Sequence, residues 1–235
     1  MDETKRLARV AGYWYLALFF IAPISLLYVP GKIVVAGDAV ATAENLRRHD
    51  GLLRLGIGTE LLHQALVIFL VLALYKLFRP VDEFLAKQLV VLGALVSVPI
   101  MFVNVLNDVA ASILASRPDF LAGFDGAQLD ALAYLFVKLH GRGIVVASVF
   151  WGLWLFPFGR LVIRSRFIPP ILGWLLMVAG GAYLAAAFVT LVAPALAPYV
   201  SPVTMPLEIA EVPIIFWLAI WGARTPRDQP VASPA

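Results

Sequence analysis

Residues Phe167 to Leu207, FIPPILGWLLMVAGGAYLAAAFVTLVAPALAPYVSPVTMPL, form 41 consecutive positions without a single charge. A helix crosses the hydrocarbon core of a bilayer in about 20 apolar residues, so this run is long enough for two crossings and too long for one. Pro194, Pro198 and Pro202 punctuate its second half. Proline lacks an N–H and clashes with the preceding turn, so the chain is expected to turn there. Three more runs, Val10 to Gly31, Gln88 to Asn107 and Ile144 to Gly159, are equally free of charge, and a further apolar segment covers Leu55 to Leu77. The reading is an all-α polytopic membrane bundle of six transmembrane helices, with spans at about 11–29, 55–77, 89–112, 131–159, 169–193 and 205–222. One membrane domain over 1–224 would then be followed by a polar, proline-containing tail at 225–235.

Composition agrees with this. Of 235 residues, 62% are apolar and 14% charged, and the mean hydropathy is +0.90. A soluble domain carries roughly 25% charged residues, so this chain has too few to coat itself in water. The absence of cysteine excludes disulfides, thiolate metal sites and a thiol nucleophile. The net charge of +3 could suggest nucleic acid, but the basic residues are scattered around apolar segments and read as topology signals. The first span follows Lys5, Arg6 and Arg9, as a secretory signal would. Its apolar core is longer than a signal's, however, and no small-residue cleavage pattern follows Val29-Pro30.

Lysine and arginine set the orientation. With both termini cytoplasmic, Lys5, Arg6, Arg9, Lys76, Arg79, Lys87, Arg160, Arg164, Arg166, Arg224 and Arg227 lie inside, against Lys32, Arg47, Arg48, Arg54 and Arg117 outside. The only long connection, Pro30 to Arg54, is then external and is expected to hold a short helix over Ala39 to His49 with Asp38 as its N-cap. Asp125-Gly-Ala-Gln128 has the pattern of a capping box opening span four. Trp14, Trp151, Trp154, Trp174, Trp217 and Trp221 lie towards span ends, as an interfacial belt would.

Several local sequences resemble the bacterial membrane family labelled domain of unknown function 4386: Arg6 to Gly12, Gly37 to Asn45, Leu72 to Arg79, Gly159 to Ser165 with Pro169 to Gly173, and Glu211 followed by Trp217-Leu218. The resemblance implies a six-helix protein of the bacterial cytoplasmic (inner) membrane and supplies no activity. The family pattern has glycine before its last acidic residue; here Ala210 precedes Glu211 and Pro213 follows.

An ionised side chain at mid-bilayer costs about 2.5–3.5 kcal/mol on insertion scales, so the polar residues inside spans are the informative ones. Span two carries Glu60, His63 and Gln64; span three Asn104, Asn107 and Asp108; span four Lys138, His140 and Arg142; span six Glu208 and Glu211. Spacings of three and four place most of each set on one helix face. His140 is the exception, opposite Lys138 and Arg142 unless Gly141 and Gly143 loosen that turn. At about 1.5 Å per residue, the charged members fall in the outer half of their spans, which suggests one polar cavity opening outward. Four carboxylates against Lys138 and Arg142 leave an excess of negative charge, to be offset by protonated carboxyls, a charged His63 or a bound cation.

The expected ligand-binding or cavity residues are therefore Glu60, His63, Asn104, Asp108, Lys138, Arg142, Glu208 and Glu211. Glu60, His63 and Glu211 are the candidate metal ligands, although Glu60-x-x-His63 is only half of a di-iron motif and has no second copy. Glu211 gains weight from its like-charged neighbour Glu208 and from Pro213, which frees the carbonyl of Ile209. Asn104 and Asn107 also suit ordinary interhelical hydrogen bonding. On span five, the small residues Gly180, Gly181, Ala182, Ala186 and Ala187 are expected to pack inside the bundle.

No Walker loop, dinucleotide fingerprint, G-x-S-x-G or H-E-x-x-H is present, and no cofactor is identified. The reading is a non-enzymatic binding or accessory protein whose cavity takes a small polar ligand, a cation or a lipid headgroup. An intramembrane enzyme, with metal assistance, and a structural subunit docked on a membrane-protein partner or a second copy of the chain are the alternatives.

Overall fold

A computed structural model describes residues 3–224; the tail at 225–235, with Arg227, lies outside the described residues. Seven helices and no strands occur among those residues. They are α1 Glu3–Ile33, α2 Ala39–Arg48, α3 Asp50–Phe78, α4 Glu83–Ser116, α5 Gly126–Ser165, α6 Pro170–Val192 and α7 Pro194–Ile220. All but α2 are long and apolar enough to cross a bilayer, so the chain is a multi-pass membrane protein with a helical-bundle fold. Between 28% and 44% of each span's most apolar window is buried within the protein. The remaining apolar side chains, such as Phe20, Leu27, Val103 and Phe188, face outward, where lipid rather than water solvates them.

The expected caps are made. Asp38 Oδ1 accepts the Ala41 amide hydrogen at 2.9 Å and starts α2. Asp125 and Gln128 exchange reciprocal bonds of 3.0 and 2.8 Å that start α5. Two long helices contain π turns next to prolines: Ile24–Tyr28 directly after Pro23 in α1, and Val91–Val96 shortly before Pro99 in α4. A π turn accommodates an extra residue in the ladder and re-aims the side chains that follow.

The uncharged run does split in two, but only Pro194 coincides with the break. Helix α6 ends at Val192 and α7 restarts at Pro194. Pro198 lies in the first turn of Ala197–Glu208, where amide hydrogens have no helical partner anyway, while Pro202 and Pro206 are carried inside that helix. The last helix therefore begins at Pro194, upstream of the span expected from 205.

The chain groups into two compact units. Among the described residues, unit 1 draws on 3–17, Val67–Ser97 and 148–224; unit 2 comprises Leu18–Leu66 and Val98–Ala147. In unit 1, α5 and α6 approach through glycines. A Cβ on Gly152 would lie 2.8 Å from the Gly180 carbonyl oxygen and one on Gly159 2.5 Å from that of Gly173, and each relation is reciprocal. The pairs are seven residues apart on both helices and run in opposite directions, so they form one antiparallel seam of backbone contact. Gly180 therefore packs inside the unit, whereas a Cβ on Gly181 would meet open space. Trp154 is buried against Tyr15 and Phe158; the expectation that it belongs to an interfacial belt is corrected, because its ring fills core volume. Trp174 and Trp221 are exposed.

The core of unit 2 joins the end of α1, α2 and parts of α3, α4 and α5 through Val29, Ile33, Leu46, Leu53, Ala111, Ala115 and Ala133. Its connections are tied by Asp130, whose side chain is 4% exposed and accepts bonds from Arg47 at 2.8 Å and Arg117 at 2.9 Å. Arg117 adopts φ 52°, a left-handed conformation costly for a side-chain-bearing residue. Its guanidinium bonds to Asp130 and to the Gly126 carbonyl help hold it there.

Candidate functional site

Unit 2 brings together three groups from three helices: Glu60 of α3, Asp108 of α4 and His140 of α5. His140 Nε2 lies 3.4 Å from Glu60 Oε2, and His140 Nδ1 lies 3.5 Å from Asp108 Oδ2. Glu60 and His140 are nearly sealed from the surface and Asp108 is largely so, with side-chain exposures of 4%, 8% and 16%. One potential ligand atom from each lies within 4.8 Å of the other two.

Asn104 positions the imidazole. Its Nδ2 donates to the His140 carbonyl at 3.0 Å and stands 3.3 Å from Nδ1, and its own backbone carbonyl is 3.4 Å from that nitrogen. Asn107 donates to Asn104 Oδ1 at 3.0 Å, fixing the amide in turn. Gly143, one turn after His140, makes room for this amide, since a Cβ there would stand 1.9 Å from Asn104 Oδ1. The glycine is therefore a packing requirement of the site, not a means of loosening the helix. Against this set of contacts, Glu60 Oε1 stands out: it is buried and receives no hydrogen bond from any described residue.

The triad borders a cavity of about 370 Å³. Its wall is mostly apolar, including Leu26 in the π turn of α1, Val29 and Ile33 just after it, and Leu46 and Leu53. Lys138 and Arg142 line it as well and are exposed. Lys138 Nζ sits 5.0 Å above the Tyr134 ring, whose hydroxyl accepts the Gly37 amide hydrogen at 2.9 Å.

The residues expected from sequence divide between the units. Glu60, Asn104, Asp108, Lys138 and Arg142 belong to unit 2, around the triad and its cavity. His63, also in unit 2, is half-buried with Nδ1 3.2 Å from Gln64 Nε2, and is not one of the three clustered groups. The partner of Glu60 is thus a histidine from another helix, not the one a turn along its own.

Glu208 and Glu211 belong to unit 1. They bracket a 3₁₀ turn, Ile209–Glu211, between two α-helical stretches of α7, and residues three apart eclipse in that geometry. Glu211 accepts a hydrogen bond from the Tyr15 hydroxyl. The Ile209 carbonyl is not left free by Pro213, as expected, because the Val212 amide takes it in the tighter turn.

His140 is the residue that the faces read from sequence set aside. Its face is not that of Lys138 and Arg142 but that of Ala133 and Ala147, one heptad away on either side and both buried. Small residues at heptad spacing mark the side of a membrane helix that meets a neighbour, and that signal could have found it. Asp130 and Tyr15 carried no comparable signal, since their partners, Arg47 and Glu211, are distant in sequence.

A family model described as Domain of unknown function (DUF4386) matches residues 10–222. No curated protein and no solved structure matches the chain.

Proposed function

We propose that this chain, which belongs to the DUF4386 family of unknown function, is a non-enzymatic binding protein of the bacterial cytoplasmic membrane with both termini inside. Its unit 2 cavity receives a small ligand with an apolar body and an anionic head, the class to which a lipid phosphate belongs. The observation that carries this reading is the lining: an apolar wall of Leu26, Val29, Ile33, Leu46 and Leu53 meets two cations, Lys138 and Arg142, in a cavity whose edge also carries Glu60, Asp108 and His140. Ligand sites commonly combine apolar walls with a few convergent polar groups. The cationic side chains favour a negative head, and the apolar wall favours a body that prefers lipid to water.

Gly141 supplies the test. It borders the cavity, and a Cβ there meets nothing within 4 Å, so Gly141→Leu should fill ligand space without a backbone clash. Binding of a fluorescent short-chain phosphatidylglycerol to the purified protein in micelles is expected to fall at least tenfold in Gly141→Leu and in Lys138→Gln, with thermal stability kept. Unchanged binding in Gly141→Leu would remove the cavity from the reading. Labelling from outside the cell at a cysteine placed at Asn45, in α2, checks orientation; labelling only after the membrane is opened would reverse it.

A second reading, a metal-assisted intramembrane enzyme, is favoured by one feature, the imidazole and two carboxylates at the cavity's edge. Turnover of a bound probe by the wild-type protein and not by Glu60→Gln would select it.

A further inference from the structure

We infer that Glu60, Asp108 and His140 form a binding site for one divalent transition-metal ion, of the zinc class, at the edge of the unit 2 cavity. The inference does not depend on what organic ligand the cavity takes.

Charge comes first. Two largely buried carboxylates flank one imidazole, and buried like charges without compensation are costly. A dication with two carboxylates and a neutral imidazole sums to zero.

The second observation is the orphaned oxygen. A buried carboxylate oxygen normally accepts at least one hydrogen bond, yet Glu60 Oε1 receives none from the described residues while Oε2 faces His140. An acceptor-only atom on a carboxylate whose other oxygen faces an imidazole nitrogen suits a cation. It does not suit a neutral apolar ligand.

Spacing and donor type narrow the choice. Ligand atoms on one ion at about 2.0–2.2 Å stand roughly 3–4 Å apart; Glu60 Oε2 stands 3.4 Å from His140 Nε2, Asp108 Oδ2 stands 3.5 Å from the ring's other nitrogen, and one ligand atom from each of the three groups lies within 4.8 Å of the other two. One nitrogen with two carboxylate oxygens suits zinc, manganese or iron; calcium and magnesium favour all-oxygen shells. Asn104 holds the Nδ1 edge of the ring, the second-shell arrangement that orients histidine ligands. Three protein ligands leave a coordination position open towards the cavity, which also provides the entry path.

The experiment uses the full chain in micelles, stripped with a chelator and titrated with zinc alone, without any lipid probe. One zinc ion per chain is expected. Glu60→Gln, Asp108→Asn and His140→Gln should each weaken binding by more than about tenfold, while His63→Gln should leave it within a factor of two. Cobalt substituted for zinc should give a visible ligand-field spectrum that is lost in His140→Gln and kept in His63→Gln. That spectrum reports coordination directly and does not depend on the stability of the carboxylate variants. Absence of stoichiometric zinc in the folded wild-type protein would overturn the inference. So would an affinity unchanged in His140→Gln, or one lost in His63→Gln. Phosphatidylglycerol binding by the metal-free protein separates the two readings, since either can fail while the other stands.

Discussion

Gly143→Ala should change the sign of its effect on stability according to what occupies position 104. In the wild-type protein the new Cβ would lie 1.9 Å from Asn104 Oδ1 and 2.4 Å from Cγ, so the amide has to move by more than 1 Å. Elsewhere a side-chain tip could move cheaply, but this one is 4% exposed and committed: Nδ2 donates to the His140 carbonyl and Oδ1 accepts from Asn107. Each of those bonds is worth about 1 kcal/mol net, and a buried amide left without partners costs about 1–3 kcal/mol more. Against this, replacing a mid-helix glycine by alanine gains up to about 1 kcal/mol of helix propensity. The balance is a destabilisation of about 2 kcal/mol. In an Asn104→Ala background the obstructing amide is gone, and the same Gly143→Ala change should be neutral or stabilising by up to about 1 kcal/mol. The coupling energy is then about 2–3 kcal/mol, at the high end for residues in contact. Reversible unfolding of the four proteins in mixed micelles, titrated with denaturing detergent, measures all the corners of the cycle. A coupling below about 0.5 kcal/mol, the range of independent sites, would refute the placement of Asn104 over Gly143, and with it the account of how His140 is held.

Asp130→Asn should destabilise the protein by about 1–2 kcal/mol, less than the 3–5 kcal/mol of a fully buried broken pair, because the side chains of Arg47 and Arg117 are 33% and 44% exposed; a melting temperature equal to that of the wild type would show the clamp to be idle. Gly12→Ala should cost about 3 kcal/mol or prevent folding, since its Cβ would lie 2.2 Å from the Ala219 backbone nitrogen in unit 1. Gly181→Ala, with open space around its Cβ, should be neutral or mildly stabilising, and equal thermal stabilities for these two variants would contradict the helix contact.

What the sequence determined by itself was the consequence of solvent and local chemistry. Long apolar stretches with few charges form helices in a bilayer, because no water is there to satisfy the backbone, and so the six spans were legible. The same holds for the caps at Asp38 and Asp125, whose partners are three residues away. Proline was legible only in part: Pro194 marks the break, Pro198 sits in a first turn where its missing N–H is harmless, and Pro202 is carried inside the helix. Which polar residues meet was decided by tertiary structure. A helix face can be drawn from spacing, but its rotation towards neighbours depends on where small residues let backbones approach. On α5 it is the side bearing Ala133, His140, Gly143 and Ala147 that packs, turning His140 inward between Glu60 and Asp108 and leaving Lys138 and Arg142 exposed along the cavity. The sorting of Glu60 and Asp108 into unit 2, and of Glu208 and Glu211 into unit 1, is likewise a product of contacts between residues far apart in the chain, and no periodicity along a single helix encodes it.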